Sequence, residues 1–75
     1  MTPRDFRAWR QKMGLTQEQA AELLGMGRTA VSQYDTGKRR APAEVIETVP
    51  RYIALACAAI SHGLAPYGSD EEEGR

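Results

Sequence analysis

Apolar side chains recur along this chain at helical spacing, in short blocks separated by glycines and prolines. Phe6, Trp9 and Met13 fall at i, i+3 and i+7 with Arg10 on the same face, which predicts a first amphipathic helix. Thr2 suits its N-cap, Pro3 its first position and Asp5 its third, and Gly14 closes it. Thr16-Gln17-Glu18-Gln19 has the form of a capping box, in which the Thr hydroxyl and the Gln amide satisfy orphaned N–H groups. Ala20, Ala21, Leu23 and Leu24 follow before Gly25. The second helix is thus only about eight residues long and must pack against something to be stable. Gly25-Met26-Gly27 reads as a turn, and a third helix runs from Arg28 to Thr36 before Gly37. Gly27 serves as its N-cap, with Met26 and Val31 placed as a hydrophobic staple. Pro42, with Glu44 in the first turn, opens a fourth helix, and Pro50 opens a fifth that reaches His62 before Gly63. No Val/Ile/Thr alternation is long enough for a strand. The pattern therefore predicts an all-α fold, a compact bundle of five short helices.

Length narrows this further. Seventy-five residues make one domain, taken as residues 1–67. A chain of this size buries only roughly 60% of its unfolded surface, so its core is marginal without help. One cysteine, Cys57, and one histidine, His62, leave no internal disulfide and no ordinary zinc site. No metal or cofactor is expected, and the cysteine usage fits a reducing, cytoplasmic setting. Met1–Arg10 is charged rather than apolar and does not read as a targeting segment. The longest apolar run, Ile53–Ile60, falls far short of the ~20 residues of a membrane span.

The third helix carries the candidate chemistry. Arg28, Thr29, Ser32, Gln33 and Thr36 form one continuous stripe, and every member is either basic or polar and uncharged. A solvated helix face usually mixes Glu with Lys, whereas these side chains can read base edges. Val31 and Tyr34 lie on the other side, and the one acid, Asp35, projects toward that anchoring side. Two short helices joined by a tight Gly-containing turn are a helix-turn-helix candidate.

From Gly14-Leu15-Thr16-Gln17 through Asp35-Thr36-Gly37-Lys38, the residues resemble the core of the phage repressor/Cro (XRE-type) helix-turn-helix domain. The resemblance spans roughly residues 4–50 and includes, in register, Leu-Thr-Gln, a buried Ala, Leu-Gly-hydrophobic and the acid-x-Gly-Lys ending. It implies a lambda-repressor-like bundle with the second and third helices as the helix-turn-helix. It implies base contacts from Arg28, Thr29, Ser32 and Gln33 in the major groove, and phosphate contacts from Gln17, Thr36, Lys38, Arg39 and Arg40. It implies an ion pair of Arg10 with Asp35 that pins the first helix to the third, and close helix approach at Ala21. Two positions depart from the family pattern: Ala20 replaces a larger aliphatic residue, and Gly27 replaces a Ser or Thr cap. Trp9 or Tyr34 is expected to fill the space at Ala20. In chemical terms, Arg28 suits a guanine edge, Gln33 an adenine edge and Thr29 a thymine methyl.

The formal net charge of zero conceals an asymmetry. Residues 1–40 hold eight basic and four acidic side chains, a net +4, and residues 41–75 hold two and six, a net −4. Residues 68–75, with the acidic run Asp70–Glu73, read as a disordered tail. The last helix, about residues 50–62, has almost no polar face, so burial on two sides is expected. Tyr52, Ile53, Ala56, Cys57 and Ile60 are the expected homodimer interface, unless Trp9 and the segment Leu64–Tyr67 fold over it. Double-stranded DNA is thus the expected partner, bound by a homodimeric regulator. The competing reading is an antitoxin-type protein-interaction module whose acidic tail engages a protein. Ser32, Asp35 and His62 supply the letters of a catalytic triad without a nucleophile elbow or oxyanion loop, so an enzyme is not expected.

Overall fold

A computed structural model describes residues 1–39 and 44–68. Arg40, the Pro42 helix start and the acidic run Asp70–Glu73 lie outside the described residues. The described chain forms α1 (Pro3–Lys12), α2 (Gln17–Leu24), α3 (Arg28–Thr36), β1 (Lys38–Arg39), β2 (Glu44–Val45) and α4 (Arg51–Ser61).

Local chemistry sets the helix ends. The Thr16 hydroxyl accepts from the Gln19 N–H at 3.0 Å, and the Gln19 carbonyl oxygen accepts from the Thr16 N–H at 2.9 Å. Thr2 and Asp5 make the same reciprocal pair at the start of α1. Gly25 and Gly37 close α2 and α3 in the left-handed conformation, at φ +69° and +77°, which costs a residue with a Cβ about 1–2 kcal/mol.

The described residues hold four helices rather than five. Glu44–Val45 pairs antiparallel with Lys38–Arg39 in the register Lys38↔Val45 and Arg39↔Glu44, and residues 46–50 are not helical. Val45, Ile46, Thr48 and Val49 are β-branched and lose side-chain freedom in a helix. Val49 also precedes Pro50, which pushes its backbone toward the extended region. Amides of this stretch find acceptors elsewhere: Ile46 N–H donates to the Gly37 carbonyl and Val49 N–H to the Met1 carbonyl, both at 2.8 Å.

The core is made of Phe6, Ala20, Ala21, Val31, Val49, Ile53 and Cys57, with Met1, Trp9, Leu15, Leu24, Met26 and Tyr34 packed against it. Phe6 is the centre, with its ring 5.7 Å from that of Trp9 and 5.9 Å from that of Tyr34, both tilted. Trp9 and Tyr34 therefore belong to the cluster that holds the fully buried Ala20. Ala21, 6% exposed, is part of the same core, and α2 packs on α3.

Helix α4 divides the expected interface residues. Ile53 and Cys57 are buried in the chain's own core, so they are not available as a partner surface. Ala56 and Ile60 are half-buried, and Tyr52 and Leu55 are exposed. The expected all-round burial of this helix is thus met on one side only. Trp9 covers part of that inner side: its Nε1–H donates to Ser61 Oγ at 2.9 Å, and Ser61 Oγ–H donates to the Cys57 carbonyl at 2.8 Å. Leu64 and Tyr67 do not fold over the outer side, since both are exposed.

Gly37 and Gly25 separate two effects on stability. A Cβ at Gly37 would meet Pro3 Cβ at 3.3 Å and the Ile46 carbonyl at 3.7 Å, whereas one at Gly25 would meet nothing within 4 Å. Gly25→Ala should lose the conformational ~1–2 kcal/mol alone, and Gly37→Ala should lose more. Urea unfolding of both variants checks this ranking, and equal losses would show that Pro3 gives way freely.

Candidate nucleic-acid interface

The stripe on α3 has its place set from behind. Asp35 is 7% exposed. Its Oδ1 accepts from Arg10 Nε–H at 2.9 Å and its Oδ2 from Arg10 Nη2–H at 3.0 Å, a two-pronged pair between α3 and α1. Arg10 Nη1–H also donates to the Leu15 carbonyl at 2.8 Å, which fixes the link between α1 and α2. Gln17 Nε2–H donates to Asp35 Oδ2 at 3.2 Å, so the first residue of α2 joins the same carboxylate. Burial by itself would raise the Asp35 pKa. The hydrogen bonds from Arg10 and Gln17, with the Arg10 charge and a lesser effect of Arg7, outweigh it and hold the carboxyl below its ordinary value.

In front of this anchor lies an open groove of ≈ 670 Å³. Arg28, Thr29, Ser32, Gln33 and Thr36 of α3 line it, joined by Gln17 at one wall and by Lys38 and Arg39. Arg28, Thr29, Thr36, Lys38 and Arg39 are exposed, and Ser32, Gln33 and Gln17 are half-buried. The structure therefore brings together every described residue expected to contact DNA; Arg40 is outside the described set. Among the described residues that line it, none is Asp or Glu. Thr36 is partly committed, because its hydroxyl donates to the Ser32 carbonyl at 3.0 Å. Gln17 is also committed, since its amide NH₂ holds Asp35 while its side chain lines the groove.

Gly27 leaves the start of α3 without a side-chain cap. Backbone N–H groups and the positive end of the helix dipole are thus presented beside Arg28, an arrangement that favours anions. The turn between α2 and α3 is closed by Met26 N–H donating to the Ala21 carbonyl at 3.0 Å. Two short helices so joined, the second showing an acid-free polar face above a rigid carboxylate anchor, form a helix-turn-helix. A family model described as helix-turn-helix matches residues 6–55.

The chain belongs to the XRE-type helix-turn-helix family. It is accordingly a DNA-binding transcriptional regulator. No curated protein and no solved structure matches the chain.

Other candidate chemistry falls elsewhere. Asp35 is held by Arg10 and Gln17, Ser32 lines the groove and His62 is the C-cap of α4, so the three letters of a triad are not joined by hydrogen bonds. Burial pushes the Cys57 thiol up to about 11, which leaves it a neutral core side chain at physiological pH. Among the described residues, no His/Cys/Asp/Glu group could hold a metal ion and no helix is long and apolar enough to cross a membrane. Arg7 of α1, whose charge also acts on Asp35, was not among the residues singled out from the sequence. Its signal was present in the charge pattern of the first helix.

The anchor makes two testable outcomes. A carboxyl whose folded pKa lies below its unfolded value adds stability above the unfolded pKa of about 3.9 and loses it as pH falls through the folded value. Urea unfolding between pH 7 and pH 2 should therefore show an acid loss of stability that is smaller in Asp35→Asn. Arg10→Met should destabilise by about 3–5 kcal/mol at pH 7, because it leaves a buried carboxylate unpaired. An Arg10→Met protein as stable as wild type would remove the pair from its anchoring role.

Proposed function

We propose that this chain is a transcriptional repressor acting in the cytoplasm, which binds an inverted-repeat operator as a homodimer with α3 in the major groove. The carrying observation is the groove in which Arg28, Thr29, Ser32 and Gln33 stand with Lys38 and Arg39, with no Asp or Glu among its described lining residues. Arg28 offers two donors to the acceptor pair of a guanine, Gln33 matches an adenine edge, and Thr29 can touch a thymine methyl. Gln17, Thr36, Lys38 and Arg39 supply phosphate contacts that set register without reading sequence. Occupation of the operator then blocks polymerase.

The outer side of α4 supports the dimer. Tyr52 is 69% and Leu55 59% exposed, and Leu64 beyond the helix is 63% exposed. An apolar side of this kind on so small a domain favours an isologous contact between two copies. Of the residues first expected there, Tyr52, Ala56 and Ile60 remain suited to it, and Leu55 joins them. A two-fold pair would present its two recognition helices about 34 Å apart, one turn of DNA.

Selection of bound duplexes from a random pool should enrich a two-fold symmetric site. On that site Arg28→Ala should cost ~1–3 kcal/mol and relax base preference at one position, whereas Lys38→Ala should weaken specific and random DNA alike. Equal losses on both kinds of DNA for both variants would remove Arg28 from base readout. Leu55→Glu should shift sedimentation from dimer to monomer; a wild-type chain that sediments as a monomer both free and on DNA would overturn the dimer.

A further inference from the structure

Helix α1 carries a second acid-free stripe. Arg4, Arg7 and Gln11 fall at i, i+3 and i+7 on one side, while Asp5 and Lys12 lie on the other. Arg4 and Arg7 are exposed. The one acid beside Arg4, Asp5, turns its carboxylate back to the Thr2 N–H at 3.0 Å. Arg7 stands one turn before Arg10, whose guanidinium clamps the Asp35 carboxylate that also holds Gln17 at the groove wall. The first turn of α1 is set against the end of α3, since Gly37 is buried against Pro3. Lys38 and Arg39 follow Gly37 directly and line the groove. Two contacts, Pro3 against Gly37 and Arg10 on Asp35, thus hold the helix that carries Arg4 and Arg7 against α3, whose end leads directly into Lys38 and Arg39.

We infer that Arg4 and Arg7 form a second phosphate track, by which α1 grips the DNA backbone flanking the groove. This inference rests on α3 being the DNA-reading helix. The chemistry is that of a flexible, sequence-blind contact: exposed guanidiniums whose nearby carboxylates, Asp5 and Asp35, are hydrogen-bonded to other groups, on a helix packed against the one that leads into Lys38 and Arg39. A phosphate is a better partner for Arg7 than Asp35, because both oxygens of that carboxylate are already taken by Arg10 and Gln17. The track also lengthens the DNA footprint beyond the reach of α3, which at nine residues spans less than three turns of helix.

The test is the salt dependence of binding to a mixed-sequence 20-base-pair duplex, measured by fluorescence anisotropy on the full chain. Each phosphate contact contributes about 0.9 to the slope of log K against log salt. Arg4→Gln/Arg7→Gln should reduce that slope by about 1.8 per bound chain and disturb urea unfolding far less than Arg10→Met. Arg7→Lys should keep the wild-type slope. Lys12→Gln, which removes the same charge from the other side of α1, should also keep it. An unchanged slope in the double variant, or an equal fall in Lys12→Gln, overturns the phosphate track while leaving the α3 reading intact. A wild-type chain that binds no duplex at low salt overturns both.

Discussion

Asp35 is the residue on which three helices converge. Its carboxylate takes two hydrogen bonds from Arg10 of α1 and one from Gln17 of α2, and it belongs to α3 itself. Breaking either side of such a pair leaves a charge in a site too dry to solvate it, so the anchor makes the relative placement of the helices all-or-none. A second consequence is electrostatic. Asp35 lies at the border between the anchoring side of α3 and the stripe that begins with Arg28, and it is the one acid of the helix. An unpaired carboxylate there would add a negative charge beside the basic groove. Pairing with Arg10 turns the one acid of the recognition helix into part of the scaffold.

The rest of the fold extends this arrangement with modest means. Phe6 holds the Trp9 and Tyr34 rings against the core cluster that also includes Ala20 and Ala21 of α2. Ser61 fastens α4 to Trp9 by one hydrogen bond and to its own helix by another. Gly37 is the joint on the other side: its carbonyl receives the Ile46 amide, and its missing Cβ leaves room for Pro3. Basic residues follow that joint directly, so the packing that ends α3 also aims Lys38 and Arg39 at the groove. Site geometry and core packing are here the same set of contacts.

Charge distribution follows the same division. A net charge of zero would argue against a polyanionic partner if it were spread evenly. The first 40 residues carry +4, and two of their four acids are engaged: Asp35 by Arg10 and Asp5 by the Thr2 amide. Among the described residues, the groove lining includes Arg28, Lys38 and Arg39 and no Asp or Glu. Affinity for DNA on such a face arises from counterion release and falls steeply with salt.

Four of the helices could be read from the sequence nearly to the residue, because their ends are local events. Capping boxes at Thr2 and Thr16 and left-handed glycines at 25 and 37 satisfy or terminate backbone groups within a few residues. The groove residues were legible for the same reason: the spacing of Arg28, Thr29, Ser32, Gln33 and Thr36 places them on one side of any helix. What the sequence could not settle depended on partners far along the chain. The stretch from Glu44 to Val49 looked helical from its prolines, yet its amides went to Gly37 and Met1, acceptors that only folding brings near. Ile53 and Cys57 looked no different from Tyr52 and Leu55, since an all-apolar helix does not declare which side is covered. Packing against the core took the first two and left the others exposed. Local hydrogen-bond chemistry was thus written in the sequence, whereas burial and long-range amide pairing were decided by the tertiary structure, because both depend on which distant segments meet.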